Sequence, residues 1–214
     1  MRGDAPGRLT EAGWGALIEH GVQTIIDLRN ADERGPDAAA RPAGVHTVHV
    51  PLDGVEDREF WHDDWEHGPE FATPIYYGPH FERFPERNAA AIAAIANAGP
   101  GGVYFHCVGG RDRSGQLAIL LLALVGVEPE EIVADYELSA ARLPRRYAAL
   151  GEPDQGPELA EFLAQQRTSA RQLILSLLES FDTEEYLRSA GLGSAEIAEV
   201  RTRLLGPDGA QAHT

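Results

Sequence analysis

Short apolar segments that alternate with helical segments restrict this chain to a small set of folds. Residues 22–28 are β-branched and continuous, residues 45–50 alternate, and residues 103–105 are short and apolar, so each is predicted to be a strand. Helical spacing fits residues 9–20 and about 86–98. Parallel strands need crossover connections, and helices usually supply them. We therefore predict an α/β fold with a mostly parallel central sheet covered by helices.

The C-terminal half is helical in pattern. The apolar run 117–125, which Gly126 ends, predicts a buried helix, and a second helix begins at Pro129 and runs to about residue 141. Two or three more helices are predicted between residues 159 and 205. A chain of 214 residues suits one domain. We place it at 1–206, with extra C-terminal helices at about 155–206 and a flexible tail at 207–214.

Residues 53–80 show no clear period, although aromatic side chains are frequent there. A loop of this length in a compact domain is usually functional. We expect this segment, or the helices near 155–168, to form a mobile lid over a pocket. Its aromatic residues are interpreted as packing residues rather than as a substrate cleft: Trp61, Trp65, Tyr76 and Tyr77.

Charge and cysteine content exclude several classes of protein. The net charge is −16, from 34 acidic and 18 basic residues, which argues against nucleic acid as a partner and against stable association with an anionic membrane. The one cysteine, Cys107, excludes an internal disulfide framework and a cysteine-clustered zinc site. The N-terminus lacks the apolar core of a signal peptide, so we expect a cytoplasmic protein, with export by another route left open.

One stretch of the sequence is the strongest candidate for a functional site. In it, a strand leads into a glycine-containing loop that opens onto a helix. A helix N-terminus binds anions and favours a thiolate, and the glycines let successive backbone N–H groups converge. Arg113, six positions after Cys107, can hold two oxygens of a phosphate, and Ser114 can hydrogen-bond the thiolate. The stretch reads His106-Cys107-Val108-Gly109-Gly110-Arg111-Asp112-Arg113-Ser114-Gly115.

This loop resembles the signature of the cysteine-dependent tyrosine phosphatase superfamily, and most closely the bacterial family of the mycobacterial protein phosphatase B type. In that family a lysine usually stands at the position of Arg111 and a threonine at that of Ser114. Four further segments fit the resemblance: residues 24–29 with Glu33 and Arg34, residues 48–52, residues 135–139, and residues 186–192. Relatives often begin with an additional N-terminal strand, which this sequence does not show, so one edge of the sheet is left undefined.

The resemblance implies phosphate monoester hydrolysis through a phosphocysteine on Cys107, without a metal or another cofactor. The loop from Val108 to Arg113 would bind the phosphate, Arg111 would add positive charge at the pocket mouth, and His106 would support the loop. Asp27 and Arg29 either brace the loop or are structural. For the general acid, we favour Asp112 in the loop over Asp53, which follows the second predicted strand; Asp57, Asp63 and Asp64 share the segment of Asp53.

Protein phosphotyrosine is the expected substrate and inorganic phosphate the product, because an aryl phosphate has the better leaving group. A phosphoinositide or a phosphoserine/threonine protein is the alternative within the resembling family. An inactive phosphate-binding module is the alternative of another class. Loss of the cysteine or the arginine would mark such a module, and both are present here.

Overall fold

Four parallel strands form the central sheet. The computed structural model describes residues 1–37, 41–61, 65 and 68–210, with side chains except at 36, 37 and 207–210. Each strand pairing is parallel, and the spatial order is β1-β4-β2-β3. The predicted α/β class, with a mostly parallel sheet covered by helices, is therefore confirmed. The strands are β1 (Arg2–Gly3), β2 (Val22–Asp27), β3 (His46–His49) and β4 (Gly102–His106).

Helices connect the strands and make up the C-terminal part of the described chain. Pro85, Pro129 and Pro157 stand in the first turns of their helices, where a missing N–H costs nothing. Thr10 and Asp182 cap theirs with side-chain oxygens. The α-helices are α1 (Glu11–Glu19), α2 (Tyr77–Arg83), α3 (Pro85–Ala96), α4 (Arg113–Leu124), α5 (Pro129–Leu150), α6 (Gly156–Gln165), α7 (Ala170–Ser180), α8 (Thr183–Ser189) and α9 (Ser194–Ala210).

Helix α5 runs nine residues beyond the predicted end near residue 141. Pro144 lies inside it and removes one backbone hydrogen-bond donor. Tyr136, Leu143 and Tyr147 nevertheless recur at helical spacing, and all three side chains are buried. Their burial favours a continuous helix across the proline, so the sequence-based boundary was wrong.

The segment 53–80 is more regular than predicted. Two short 3₁₀ turns, Pro69–Ala72 and Pro74–Tyr76, lead directly into α2. Trp61, Tyr76 and Tyr77 are buried in the main core, which confirms that these aromatics pack. Trp65 is partly buried against the same core.

The core lies between the sheet, α3 and α4, and the C-terminal helices pack on it as well. Ile26 of β2, Leu117 of α4 and Ile174 of α7 belong to the same buried cluster. Burying one such side chain stabilises the fold by about 1.5–3 kcal/mol. Helix α9 breaks at Gly206, where φ is +78°, and residues 211–214 of the predicted tail lie outside the described residues. Within the described ranges, every helix is too short or too polar to cross a bilayer.

The N-terminal segment forms the edge of the sheet beside β4. The Phe105 N–H donates to the Met1 carbonyl (3.0 Å), and the Met1 amino group donates to the Val103 carbonyl (2.7 Å). The expectation that this chain lacks the edge strand of its relatives was wrong. Two residues are too few to show strand alternation in a sequence, and backbone pairing does not depend on their side chains.

The same segment contacts the loop that follows β4. The Ala5 N–H donates to the Val108 carbonyl (3.1 Å), and the Tyr104 hydroxyl donates to the Asp4 carbonyl (2.6 Å). Gly110 has φ +75°, and a Cβ there would lie 2.6 Å from the Gly3 carbonyl carbon. Only glycine therefore fits this contact between the N-terminal segment and the loop.

We expect Gly110→Ala to lower the free energy of unfolding by about 1–3 kcal/mol, because it combines a positive φ with a backbone clash. Gly15→Ala is the matched control, since nothing lies within 4 Å of a Cβ in that turn of α1. The control should raise stability by about 0.5–1 kcal/mol. Urea unfolding measures both variants, and a Gly110→Ala protein as stable as the wild type would contradict the contact.

Candidate active site

The loop between β4 and α4 places Cys107 above the first turn of a helix. β4 ends at His106 and α4 begins at Arg113. Cys107 is 3% exposed; its sulfur accepts a hydrogen bond from the Gly110 N–H (3.3 Å) and lies 3.6 Å from the Ser114 hydroxyl oxygen. The positive φ of Gly110 turns that N–H inward. The sulfur therefore lies at the N-terminal end of α4, within reach of a loop N–H and a hydroxyl group.

Arg113 is held in place by two carboxylates. Its side chain is almost fully buried, and both terminal nitrogens donate to Glu33, with Nη2 to Oε1 at 2.7 Å. Nη1 also lies 3.2 Å from Asp53 Oδ2. Burial alone would lower the pKa of Arg113, but Asp53 and Glu33 raise it well above its usual range. The guanidinium is a fixed cation in the cavity wall.

Asp53 lies beside Arg113 and is completely buried. Asn30 Nδ2 donates to Oδ2 at 2.8 Å, and the Trp61 indole N–H donates to the Asp53 carbonyl at 2.7 Å. Oδ1 has no hydrogen-bond partner among the described residues. Burial raises the pKa of the Asp53 carboxyl to about 6, although Arg113 and Asn30 act to lower it.

Asp112, in contrast, faces the cavity that contains Cys107. Its side chain is 21% exposed and accepts from Arg111 Nε, which lies 3.2 Å from each carboxylate oxygen. The Tyr77 hydroxyl donates to Oδ1 at 3.4 Å. Burial acts to lower the pKa of Arg111, but Asp112 raises it above its usual range. The carboxyl thus has a defined orientation and access to a bound ligand.

His106 and the end of β2 support the loop from behind. The fully buried His106 donates from Nδ1 to the Cys107 carbonyl (2.9 Å), and its Nε2 lies 3.9 Å from Asp27 Oδ1. Arg29 donates to both oxygens of Asp27, at 2.9 and 2.8 Å. The Leu28 N–H donates to the His106 carbonyl (2.9 Å). Burial acts to raise the pKa of Asp27, but Arg29 and His106 lower it below its usual range.

A cavity of about 370 Å³ opens over the sulfur. Loop residues form its floor, while residues of the 68–76 segment, α5 and the turn after α5 form its sides. Among the residues that the structure describes, no group of three or more histidine, cysteine or acidic side chains could hold a metal ion. The cavity is lined by Glu33, Phe71, Ala72, Cys107, Val108, Gly109, Arg111, Asp112, Arg113, Leu143, Arg146, Tyr147, Glu152 and Gln155.

Comparison with known proteins decides the family. The sequence model of the tyrosine phosphatase family matches residues 1–206. A tyrosine-protein phosphatase of Nostoc commune is 33% identical over 92% of this chain and 71% of its own length. The triple specificity protein phosphatase PtpB of Mycobacterium tuberculosis is 28% identical over 93% of this chain and 88% of its own length.

This chain belongs to the tyrosine phosphatase family. The expected resemblance and enzyme class, a tyrosine-phosphatase-like phosphatase, are thereby confirmed. The fold of this phosphatase brings the predicted loop residues together around one sulfur, with Ser114 beneath it and Gly110 against the N-terminal segment. Their individual roles stay predictions.

The predicted residues outside the loop have different positions. Asp53 lies next to Arg113 and does not line the cavity. Asp57 pairs with Arg83 (2.7 Å) at the surface, away from the cavity. Asp63 and Asp64 lie outside the described residues. Both predicted lid regions reach the cavity: Phe71 and Ala72 border it from the 53–80 segment, and Gln155 borders it at the start of the 155–168 region.

Sequence reasoning missed three residues of this phosphatase's site. Glu33, the main partner of Arg113, was noted only as part of a matching segment, and no spacing rule ties it to a residue 80 positions later. Asn30, which binds Asp53, and Arg146, which lines the cavity from α5, had no signal in the sequence.

Asp53 should make stability depend on pH. Its raised pKa of about 6 means that the folded protein binds this proton more tightly than the unfolded chain, so its contribution to stability falls as pH rises from about 4 to 6. Asparagine keeps the shape and cannot ionise. The free energy of unfolding of Asp53→Asn, minus that of the wild type, should therefore increase by roughly 1–3 kcal/mol over this range.

Urea unfolding at several pH values measures this difference. Asp57→Asn is the control: the pKa of the Asp57 carboxyl is lowered by the Arg83 hydrogen bond, so that variant should show no such rise over the same range, about pH 4 to 6. A constant difference between Asp53→Asn and the wild type would contradict the raised pKa.

Proposed function

We propose that this phosphatase hydrolyses phosphotyrosine in proteins through a phosphocysteine intermediate. The observation that carries the proposal is the arrangement around Cys107: one loop N–H on its sulfur, a helix terminus beneath it, and the fixed Arg113 guanidinium in the same cavity wall. Such a site binds a tetrahedral anion in front of a nucleophile. We infer a cytoplasmic location, and inorganic phosphate as the product.

The reaction has two steps. The Cys107 sulfur attacks phosphorus, the S–P bond forms, and the bond to the tyrosine oxygen breaks as that oxygen takes a proton from a general acid. Loop N–H groups and Arg113 stabilise the equatorial oxygens during the transfer. Water then attacks the phosphocysteine, gives its proton to the same residue, and releases phosphate, while Ser114 hydrogen-bonds the departing thiolate.

We assign the general acid to Asp112. Asp112 lines the cavity and is oriented by Arg111 and Tyr77, whereas Asp53 is wholly buried beside Arg113. A general acid must come within hydrogen-bond distance of the leaving oxygen, so geometry favours Asp112 even though the pKa of Asp53 is raised. Asp53 instead helps to hold Arg113 in position.

Phosphotyrosine is favoured over a phosphoinositide because the net charge of −16 opposes approach to an anionic membrane. Phosphoserine, phosphothreonine and phosphoinositide substrates, which the family resemblance implies, form the second candidate group, and the Mycobacterium tuberculosis relative is itself named a triple specificity phosphatase. The phenolate of tyrosine is the better leaving group, which places phosphotyrosine first.

The direct test is hydrolysis of a chromogenic aryl phosphate in the presence of a metal chelator. Wild-type protein should turn over, and Cys107→Ser should lose about 10⁴-fold or more of kcat because serine is a far weaker nucleophile here. Phosphate binding by the variant shows that its site remains intact. Turnover by Cys107→Ser would contradict the mechanism, and a folded but inactive wild type would indicate a phosphate-binding module.

The acid assignment is tested by leaving groups of different pKa. Asp112→Asn should lower kcat/KM by about 10²–10⁴-fold for a poor leaving group and far less for a good one, which leaves without protonation. Asp53→Asn, measured alongside, should reduce both substrates by a similar factor, because it acts through Arg113. Equal losses for both substrates in Asp112→Asn would remove Asp112 as the acid.

A further inference from the structure

A second cleft lies directly beside the catalytic cavity. Its volume is about 170 Å³, and it lies between the loop, the N-terminal segment and α5. Gly109, Leu143 and Arg146 line both spaces, so the two meet at these residues. A ligand bound at Cys107 can therefore extend into the second cleft without leaving the protein surface.

Arginine side chains are concentrated in the lining of this second cleft. Three guanidinium groups, from Arg2, Arg142 and Arg146, line it together with one carboxylate, that of Asp4. Arg2 donates to the Asp135 carbonyl (2.8 Å) and pairs with its carboxylate (3.2 Å), so its position is fixed. In a chain with a net charge of −16, three arginines around one cleft are more than the acidic composition leads one to expect.

Arg146 differs from the arginines of the catalytic loop in how it is paired. Its side chain is mostly buried, and its two carboxylate neighbours, Asp4 at 3.6 Å and Glu152 at 3.8 Å, lie beyond hydrogen-bond distance. Arg113 and Arg111, in contrast, donate to carboxylates. Within the described residues, the donors of Arg146 thus have no hydrogen-bond acceptor, and an arriving anion can bind them.

Arg142 extends the same surface by one helical turn. It lies four residues before Arg146, so the two side chains share one face of α5, and Arg142 is exposed. No hydrogen bond or ion pair of Arg142 occurs among the described residues. Arg145, next to Arg146 in sequence, is also exposed but lines neither space.

We propose that this second cleft binds a second phosphate on a peptide whose phosphotyrosine occupies the catalytic cavity. The proposal rests on the proposed function. One guanidinium group can bind two phosphate oxygens at once. Several guanidinium groups together match the double negative charge of a phosphate better than the single negative charge of a carboxylate. The negatively charged protein surface favours a peptide over a phosphoinositide in a bilayer as the carrier.

The test compares kcat/KM for one phosphotyrosine peptide with that for matched peptides carrying phosphoserine one or two residues to either side. The wild type should prefer at least one doubly phosphorylated peptide by about tenfold, and added salt should reduce the preference. Arg142→Gln and Arg146→Gln should each bring the ratio closer to one, and Arg145→Gln should leave it unchanged.

A wild-type ratio of one with normal turnover of the singly phosphorylated peptide would overturn the second subsite and leave the proposed function intact. If Arg142→Gln, Arg146→Gln and Arg145→Gln all gave the same ratio of kcat/KM values, the second subsite would likewise be overturned. Absence of turnover on every peptide would instead overturn the proposed function. Calorimetric titration of Cys107→Ser with both peptide types and with a soluble inositol bisphosphate then decides the subsite. Equal affinities for the two peptide types would refute it, as would a second-phosphate preference seen only with the inositol bisphosphate.

Discussion

The buried ion pair between Arg113 and Glu33 is the interaction on which the site depends. A guanidinium taken out of water must be paired, because an isolated buried charge is strongly destabilising. Glu33 supplies two acceptors and Asp53 a third contact, while Asn30 holds Asp53. The segment after β2 and the segment after β3 are thereby tied to the first residue of α4.

A second set of contacts fixes the loop from the other side. The N-terminal segment pairs with β4 and packs against Gly110, whose N–H donates to the Cys107 sulfur. His106 and Asp27 add support from beneath. The sulfur therefore lies among donors that are already oriented before substrate arrives, which is what electrostatic stabilisation of a transition state requires.

Much of this arrangement could be predicted from local patterns. The strands, the glycine loop and the start of α4 follow from residue types within a few positions of one another, and these identify Cys107, Arg113 and Asp112. Contacts between distant segments could not be predicted in this way. Glu33 meets Arg113 across 80 residues, and β1 pairs through its backbone alone. Helix α5 extends beyond its predicted end because the burial of side chains on both sides of Pro144 stabilises the helix more than one missing hydrogen bond destabilises it.

The covalent intermediate is the central claim, and rapid quenching of the first turnover tests it most directly. The protein is mixed with an aryl phosphate, stopped in acid, digested and analysed by mass spectrometry. We predict that the peptide containing Cys107 carries one additional phosphoryl group, which disappears as turnover ends. Turnover with no phosphorylated peptide at any time, or with the phosphoryl group on another residue, would contradict the account.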